Sequence, residues 1–145
     1  MSVELGSLNW LAVVAAVVAC IVIAFVWYMP PLFGAAWASR NARYTGMTVD
    51  ELVRPKPDLM LRQLGLWAIG FAVNAAVFAL FLRALGITET GGAILLGVTA
   101  WLAWAATLSS WPVIFARQPV GVWAINNGAH LVMQVVMAVI LTAWR

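Results

Sequence analysis

The stretch VWAINNGAHLVMQVVMAVILTAW, residues 122–144, decides the fold predicted for this chain. It is long enough to cross a bilayer as a helix, since about 20 apolar residues span roughly 30 Å of hydrocarbon. Four polar side chains interrupt it: Asn126, Asn127, His130 and Gln134. At about 100° per residue, all four fall on one face of the helix. Because polar groups in hydrocarbon need partners, we expect this face to point into the protein.

The composition of the chain assigns its class. Hydrophobic residues make up 65% of the sequence and charged residues 9%, and the mean hydropathy is +0.98. A soluble domain with a polar exterior does not tolerate this balance, so residues 1–145 are predicted to form a single membrane domain. The net charge of +3 does not indicate a nucleic-acid partner, because the basic residues cluster beside apolar segments. With one cysteine and one histidine in the sequence, we expect no metal site within one protomer and no cofactor.

Four apolar segments are long enough to cross a membrane. They are residues 8–28, 63–85, 93–111 and 122–144. The predicted fold is therefore an all-α, polytopic membrane four-helix bundle. The first connection, residues 34–62, is the long polar one, and a capping box at Thr48 and Glu51 predicts a short surface helix within it.

The distribution of cations predicts the orientation. Residues 34–62 and the turn around Arg117 hold six of the eight Lys and Arg residues. Because cytoplasmic connections are enriched in Lys and Arg, this side is predicted to be cytoplasmic and both termini to lie outside. The predicted location is the cytoplasmic (inner) membrane. The long connection is interpreted as solvated, with a basic patch on anionic headgroups as the alternative.

Small side chains recur every fourth residue in the first two spans. Such ridges let helices approach closely, and a thiol among them is expected to be inert packing. The predicted packing residues are Ala12, Ala16, Cys20 and Ala24 in the first span and Ala68, Ala72 and Ala76 in the second.

A polar and aromatic cluster is predicted in the middle of the bundle. Trp101 and Trp104 lie three residues apart near the centre of the third span, and each indole N–H needs an acceptor that lipid does not provide. Asn74, His130 and Gln134 are the expected acceptors. The tryptophan pair is interpreted as core packing first and as a ligand cage second. The predicted cluster comprises Asn74, Trp101, Trp104, Asn126, Asn127, His130 and Gln134.

Two pairs of short segments resemble each other within the chain. MPPLFGA at residues 29–35 resembles WPVIFAR at 111–117, and FAVN at 71–74 resembles WAIN at 123–126. Both pairs place a proline after an odd-numbered span and an asparagine in the next span. A duplication of this kind predicts two parallel helix hairpins related by an axis along the membrane normal.

The chain also contains four longer motifs, NWLAVVAAVV, WYMPPLFGAAW, WLAW and RQPVGVWAINNGAHLV. Together they resemble a family of small four-helix prokaryotic membrane proteins catalogued only as a domain of unknown function. The position after Gly128, often aromatic in that family, is Ala129 here, which predicts extra space beside His130. The resemblance implies a fold and a location but no activity. The matching positions are Asn9, Trp10, Trp27, Tyr28, Pro30, Phe33, Gly34, Trp37, Pro119, Asn126, Gly128 and His130.

Three functions fit these patterns. The leading prediction is an oligomeric structural or accessory membrane protein, in contact with the lipid bilayer and acting as a homo-oligomer or as a subunit of a larger complex. The alternative is binding or transport of a small neutral or apolar solute through the polar and aromatic cluster. An enzyme is disfavoured, because no Asp or Glu lies within the predicted spans. Ser109 or Ser110 with His130 as base would also lack the third group of a triad.

Overall fold

The computed structural model describes residues 6 and 8–144 of the chain. In this part of the chain every regular element is helical and no strand occurs, which confirms the predicted all-α class. Four helical stretches are long and apolar enough to cross a membrane, as predicted. The architecture is therefore compatible with a multi-pass membrane protein.

Long helices alternate with shorter helical elements along the described residues. In chain order they are α1 (Trp10–Trp27), the proline turn (Pro30–Gly34), α2 (Ala35–Thr45), α3 (Val49–Val53), α4 (Pro57–Ala84), α5 (Thr90–Ala100), the π segment (Trp101–Ala106), α6 (Trp111–Phe115) and α7 (Val120–Ala143). The π segment is a stretch of π-helix that continues α5. The third span therefore runs from Thr90 to Phe115 as one apolar stretch.

The second span begins earlier than the sequence predicted. α4 starts at Pro57, whereas the predicted span starts at residue 63. Proline is favoured in the first turn of a helix, because the N–H that it lacks would have no helical partner there. Asp58 in the same turn interacts favourably with the positive end of the helix dipole. The helix therefore extends beyond the apolar segment into the polar connection.

The polar connection between the first two spans carries regular structure. It contains α2 and α3, and α3 starts with the predicted capping box. The Glu51 N–H donates to Thr48 Oγ1 at 3.2 Å, and the Thr48 N–H donates to the Glu51 carboxylate at 2.8 Å. These bonds lower the pKa of the Glu51 carboxyl, because they stabilise its charged form. The short surface helix predicted here is confirmed.

α7 is the central helix of the bundle, with α1 along one side and α5 along another. The buried face of α1 carries small side chains at every fourth position, which lets the backbones of α1 and α7 approach closely. Ala12, Ala16, Cys20 and Ala24 are all buried in this contact. At its centre the Cys20 thiol lies 3.8 Å from the carbonyl oxygen of Met133, a contact available only to a small side chain. We call this contact the α1–α7 seam.

α4 packs mainly on α1 and uses a different face from the predicted one. Its buried side chains are Ala75, Phe78 and Leu82. The predicted small ridge of Ala68, Ala72 and Ala76 is only half-buried. It lies beside this contact rather than at its centre.

α4 and α5 scarcely touch, although only residues 85–89 connect them. α5 instead lies close against α7, where Gly97 faces Gln134 and Ala138. A methyl group added at Gly97 would come within 3.4 Å of Gln134. Two equivalent parallel hairpins would pack α4 against α5 as α1 packs against α7. The structure has the contact between α1 and α7 but not the one between α4 and α5, so the duplication stays a prediction. The missing contact leaves the bundle open on one side.

Candidate functional site

The C-terminal end of α1 is fastened to α7 by two aromatic side chains. The Trp27 indole N–H donates to the carbonyl oxygen of Ile125 at 3.0 Å, and the Tyr28 hydroxyl donates to Asn126 Oδ1 at 2.7 Å. The Trp27 ring passes directly over Gly128, where an added methyl group would lie 3.0 Å from the ring. Several motif residues therefore serve to join α1 to α7.

The proline turn after Tyr28 is equally tight. The Gly34 N–H donates to the carbonyl oxygen of Met29 at 3.1 Å, and Leu32 adopts a non-helical conformation. A β-carbon at Gly34 would overlap the carbonyl oxygen of Tyr28. Only glycine permits this close approach of backbone to backbone, which explains the glycine in the motif WYMPPLFG.

Asn127 is the centre of a second satisfied network, between α7 and the third span. Its side chain is 3% exposed, and Nδ2 donates to Ser109 Oγ at 2.9 Å and to the carbonyl oxygen of Trp123 at 3.0 Å. The Trp123 indole N–H donates to the same hydroxyl at 3.1 Å. The Trp101 indole N–H donates to the carbonyl oxygen of Asn127 at 2.9 Å. Ser109 is therefore held by amide and indole groups, and its hydroxyl has no bond to His130.

A cleft of about 280 Å³ lies on the open side of the bundle, between α4, the π segment and α7. Its aromatic walls are Trp67 and Phe71 of α4 and Trp101 of the π segment. The cleft exists because α5 lies close to α7 while α4 leans towards α1. No charged side chain of the described residues lines it.

Three polar side chains, Asn74, His130 and Gln134, face this cleft. Asn74 Nδ2 donates to Gln134 Oε1 at 3.0 Å. Because this is their only bond to each other, the Asn74 side-chain oxygen and the Gln134 NH₂ group stay available to a ligand. His130 is exposed on the cleft side, and neither ring nitrogen bonds to another described residue. The cleft therefore carries two free donors and two free acceptors.

The structure divides the predicted polar cluster into three groups. Asn126 bonds to α1, Asn127 bonds to the third span, and Gln134 bonds to Asn74 while His130 faces the cleft. The polar face of α7 is broad enough to meet three neighbours, rather than one central cluster. Trp101 bonds to the Asn127 carbonyl oxygen, and not to the acceptors predicted for it.

Trp104 lies outside these groups and is 58% exposed. In an α-helix, residues three apart share a face, which was the basis for pairing it with Trp101. Trp101 and Trp104 lie in the π segment, where i→i+5 bonding puts more residues into each turn. Each residue then turns the chain through a smaller angle, so residues three apart fall further short of a full turn and no longer share a face. Trp101 points towards α7, and Trp104 is left on the outer surface.

The predicted cluster omits three tryptophans that contribute to the bundle or to the cleft. Trp27 and Trp123 donate hydrogen bonds into the bundle, and Trp67 lines the cleft. The small residues of α5, Ala93 and Gly97, were also missed, although both are buried. Their four-residue spacing is the same signal that identified the ridge of α1.

Comparison with known proteins gives one match. A family model described as "Protein of unknown function (DUF1761)" matches residues 11–142. None of the curated proteins and none of the solved structures compared with the chain matches it. The match covers most of each of the four long helical stretches and all of the cleft.

Proposed function

The chain belongs to this family of proteins of unknown function, as its motifs predicted, and we propose that it binds a small, neutral, lipid-soluble molecule in the cleft between α4, the π segment and α7. The observation that carries the proposal is the set of free hydrogen-bonding groups on Asn74, His130 and Gln134 beside an open cavity. The resemblance to the family supplies no activity, so the proposal depends on this geometry alone.

The depth of these groups makes their free hydrogen-bonding capacity significant. His130 is the eleventh of the 24 residues of α7, about 15 Å from its first residue at 1.5 Å per residue. It would therefore lie near the bilayer midplane, where no bulk water is available. An unsatisfied polar group there costs several kcal/mol. A ligand that bonds these groups removes this cost, which favours binding.

The size and walls of the cleft indicate what kind of ligand fits. Its volume of about 280 Å³ lies just below the range of about 300–1,000 Å³ that is typical of ligand pockets. This volume suits a small solute or the head of a longer molecule. The aromatic walls and the lack of lining charges favour a neutral ligand over an ion. The gap between α4 and α5 gives access from the bilayer.

A thermal-shift screen of the purified protein in mild detergent tests the proposal. A panel of neutral lipid-soluble compounds should contain members that raise the melting temperature of the wild type by more than that of the variants His130→Leu and Gln134→Leu. Asn126→Leu is the matched control, because it removes an amide of α7 that lies outside the cleft. If no compound raises the melting temperature, or if His130→Leu responds like the wild type, the proposal fails.

A structural role within an oligomer is the second candidate. It is favoured by the half-buried ridge of Ala68, Ala72 and Ala76, which the packing of α4 on α1 leaves partly uncovered. In this proposal the ridge contacts a second copy or a larger complex. Ala72→Leu should then lower the mass of the detergent-solubilised particle measured by light scattering, and an unchanged mass would exclude the ridge as the contact.

The proposal places the protein in the cytoplasmic membrane of a prokaryote with both termini outside, since most cations lie on the side of α2 and α3. A reporter fused at the C-terminus and active only in the cytoplasm would contradict this.

The proposal includes no catalytic step, because the described carboxylates lie at helix ends or in surface helices. They are Asp50, Glu51, Asp58 and Glu89.

A further inference from the structure

We infer, on the basis of the proposed binding function, that the cleft takes the ring of a lipid-soluble quinone, with carbonyl oxygens accepting hydrogen bonds from His130 and Gln134. The apolar tail of the quinone leaves through the gap between α4 and α5. The inference is limited to binding and includes no electron transfer.

His130 and Gln134 can both donate to one ligand. His130 and Gln134 are four residues apart on α7, so their β-carbons lie about 5–6 Å apart on the same side of the helix. Both side chains reach beyond their β-carbons, so their donors can approach two oxygens on one six-membered ring. The Gln134 amide oxygen already accepts from Asn74, which orients its NH₂ group for donation to a ligand.

The walls of the cleft suit a flat ring. Trp67 and Phe71 form an edge-to-face pair with ring centroids 5.9 Å apart, and Trp101 bounds the cleft from the third span. Aromatic faces bind flat rings by stacking. On α7, Met133 and Met137 also line the cleft. A bulky fused-ring alcohol would not fit the available volume of about 280 Å³.

The opening of the cleft accommodates a long apolar tail. Gly70 of α4 lines the cleft, and a β-carbon built there would meet no atom within 4 Å. Ala105, a small residue of the π segment, lines the cleft as well. These two small residues leave a passage between α4 and the third span, and α4 and α5 do not close it. A fatty acid would pass through the same gap, but its carboxylate would find no cation in the cleft.

Equilibrium dialysis tests the inference with the full chain in lipid nanodiscs. The probe is radiolabelled decylubiquinone, and empty nanodiscs measure its partition into lipid. Decylbenzene has a ring and tail without oxygens, and decanol has a tail and one hydroxyl without a ring. The expected result is saturable excess binding of the quinone at one molecule per chain, with neither control molecule competing. Infrared spectra of the bound quinone should show both carbonyl bands at lower frequency than in lipid, because both accept hydrogen bonds.

Substitutions then assign each carbonyl to its donor. His130→Leu and Gln134→Leu should each weaken binding about threefold to tenfold, as expected for the loss of one hydrogen bond, and should return one carbonyl band to its lipid position. His130→Gln keeps a donor and should keep both shifted bands. Asn126→Leu should bind like the wild type.

The outcomes separate the two proposals. If decylbenzene or decanol binds as tightly as the quinone, the cleft is a binding site but the quinone assignment is wrong. If the quinone binds with unshifted carbonyl bands, the two donors do not hold it and the inference fails. If no probe exceeds its partition into empty nanodiscs and the thermal-shift screen also finds no ligand, the proposed function fails as well.

Discussion

The two sides of α7 differ in how they meet their neighbours. On one side the α1–α7 seam is lined by small side chains, and the polar atoms of Tyr28 and Asn126 bond to each other. On the other side α4 stays away from α5, and His130 faces a cavity with no hydrogen-bond partner among the described residues. Within one helix, polar residues are therefore used in two ways. Those of the seam side stabilise the bundle, and those of the cleft side keep their hydrogen-bonding capacity free.

This difference changes how intramembrane polar residues are interpreted. An amide in a membrane helix is usually explained by a contact with a neighbouring helix, which contributes about 0.6 kcal/mol on average. Asn126 and Asn127 have such contacts. His130 does not, although it lies on the same helix and at similar depth. A function is therefore better sought where the contact is missing than where polar residues are most numerous.

The largest expected loss of stability comes from Gly34→Ala, which disrupts the turn beside the contact of Trp27 and Tyr28 with α7. The added methyl group would overlap the carbonyl oxygen of Tyr28, a backbone atom that cannot move aside without opening the turn. We expect destabilisation above the usual overpacking cost of about 1–3 kcal/mol and loss of most folded protein, measured by size-exclusion chromatography in detergent. Gly65→Ala is the control, because its added methyl group meets no atom within 4 Å. A Gly34→Ala protein that melts like the wild type would show that the turn is not tight.

A smaller effect is expected from Ala16→Leu, which overpacks the middle of the seam. Ala16 is fully buried against α7, so a larger side chain should destabilise the fold by about 1–3 kcal/mol, measured by denaturant unfolding in detergent. Ala103→Leu places the same side chain on an exposed position of the π segment and should change the free energy of unfolding little. Equal effects of the two variants would mean that the seam is no more closely packed than the outer surface.

The smallest expected effects test the difference between the two sides of α7 most directly. Tyr28→Phe removes one hydrogen bond of the seam side and should cost about 0.6 kcal/mol. His130→Leu removes a side chain with no partner among the described residues, and should leave the free energy of unfolding unchanged or increase it. Both are measured by unfolding without added ligand. If His130→Leu is as destabilising as Tyr28→Phe, His130 has a structural contact and the distinction between the two sides is lost.

The fold could be predicted from the sequence, because a membrane span is a local property. Twenty apolar residues identify a span wherever it packs, and Thr48 with Glu51 identifies a helix start within four residues. The cleft could not be predicted, because it depends on how far apart two helices lie. α5 approaches α7 through Gly97, and α4 contacts its neighbour through Ala75 rather than Ala76. The residues that line the cleft do not indicate either of these two helix contacts.

The position of Trp104 shows a second limit. Its direction depends on a change from α-helix to π-helix within the third span, which alters the periodicity on which the prediction depended. The backbone of this region is also bonded from outside, since the Trp123 indole N–H donates to the carbonyl oxygen of Ala106 at 3.3 Å. A helix whose hydrogen bonds are shared with another helix cannot be predicted from its own residues.

The α1–α7 seam also constrains the order of assembly. It joins the first long helix to the last, and the contact between Cys20 and Met133 bridges 113 positions of the chain. Such a contact requires the intervening chain to form a closed loop. The entropy lost in closing this loop must be overcome before the contact stabilises the fold, so the contact forms late. During synthesis the small residues of α1 cannot contact α7 until α7 has been made and inserted. The contact between α1 and α4 can form earlier, but a chain that stops before α7 lacks the helix against which α1 and α5 pack.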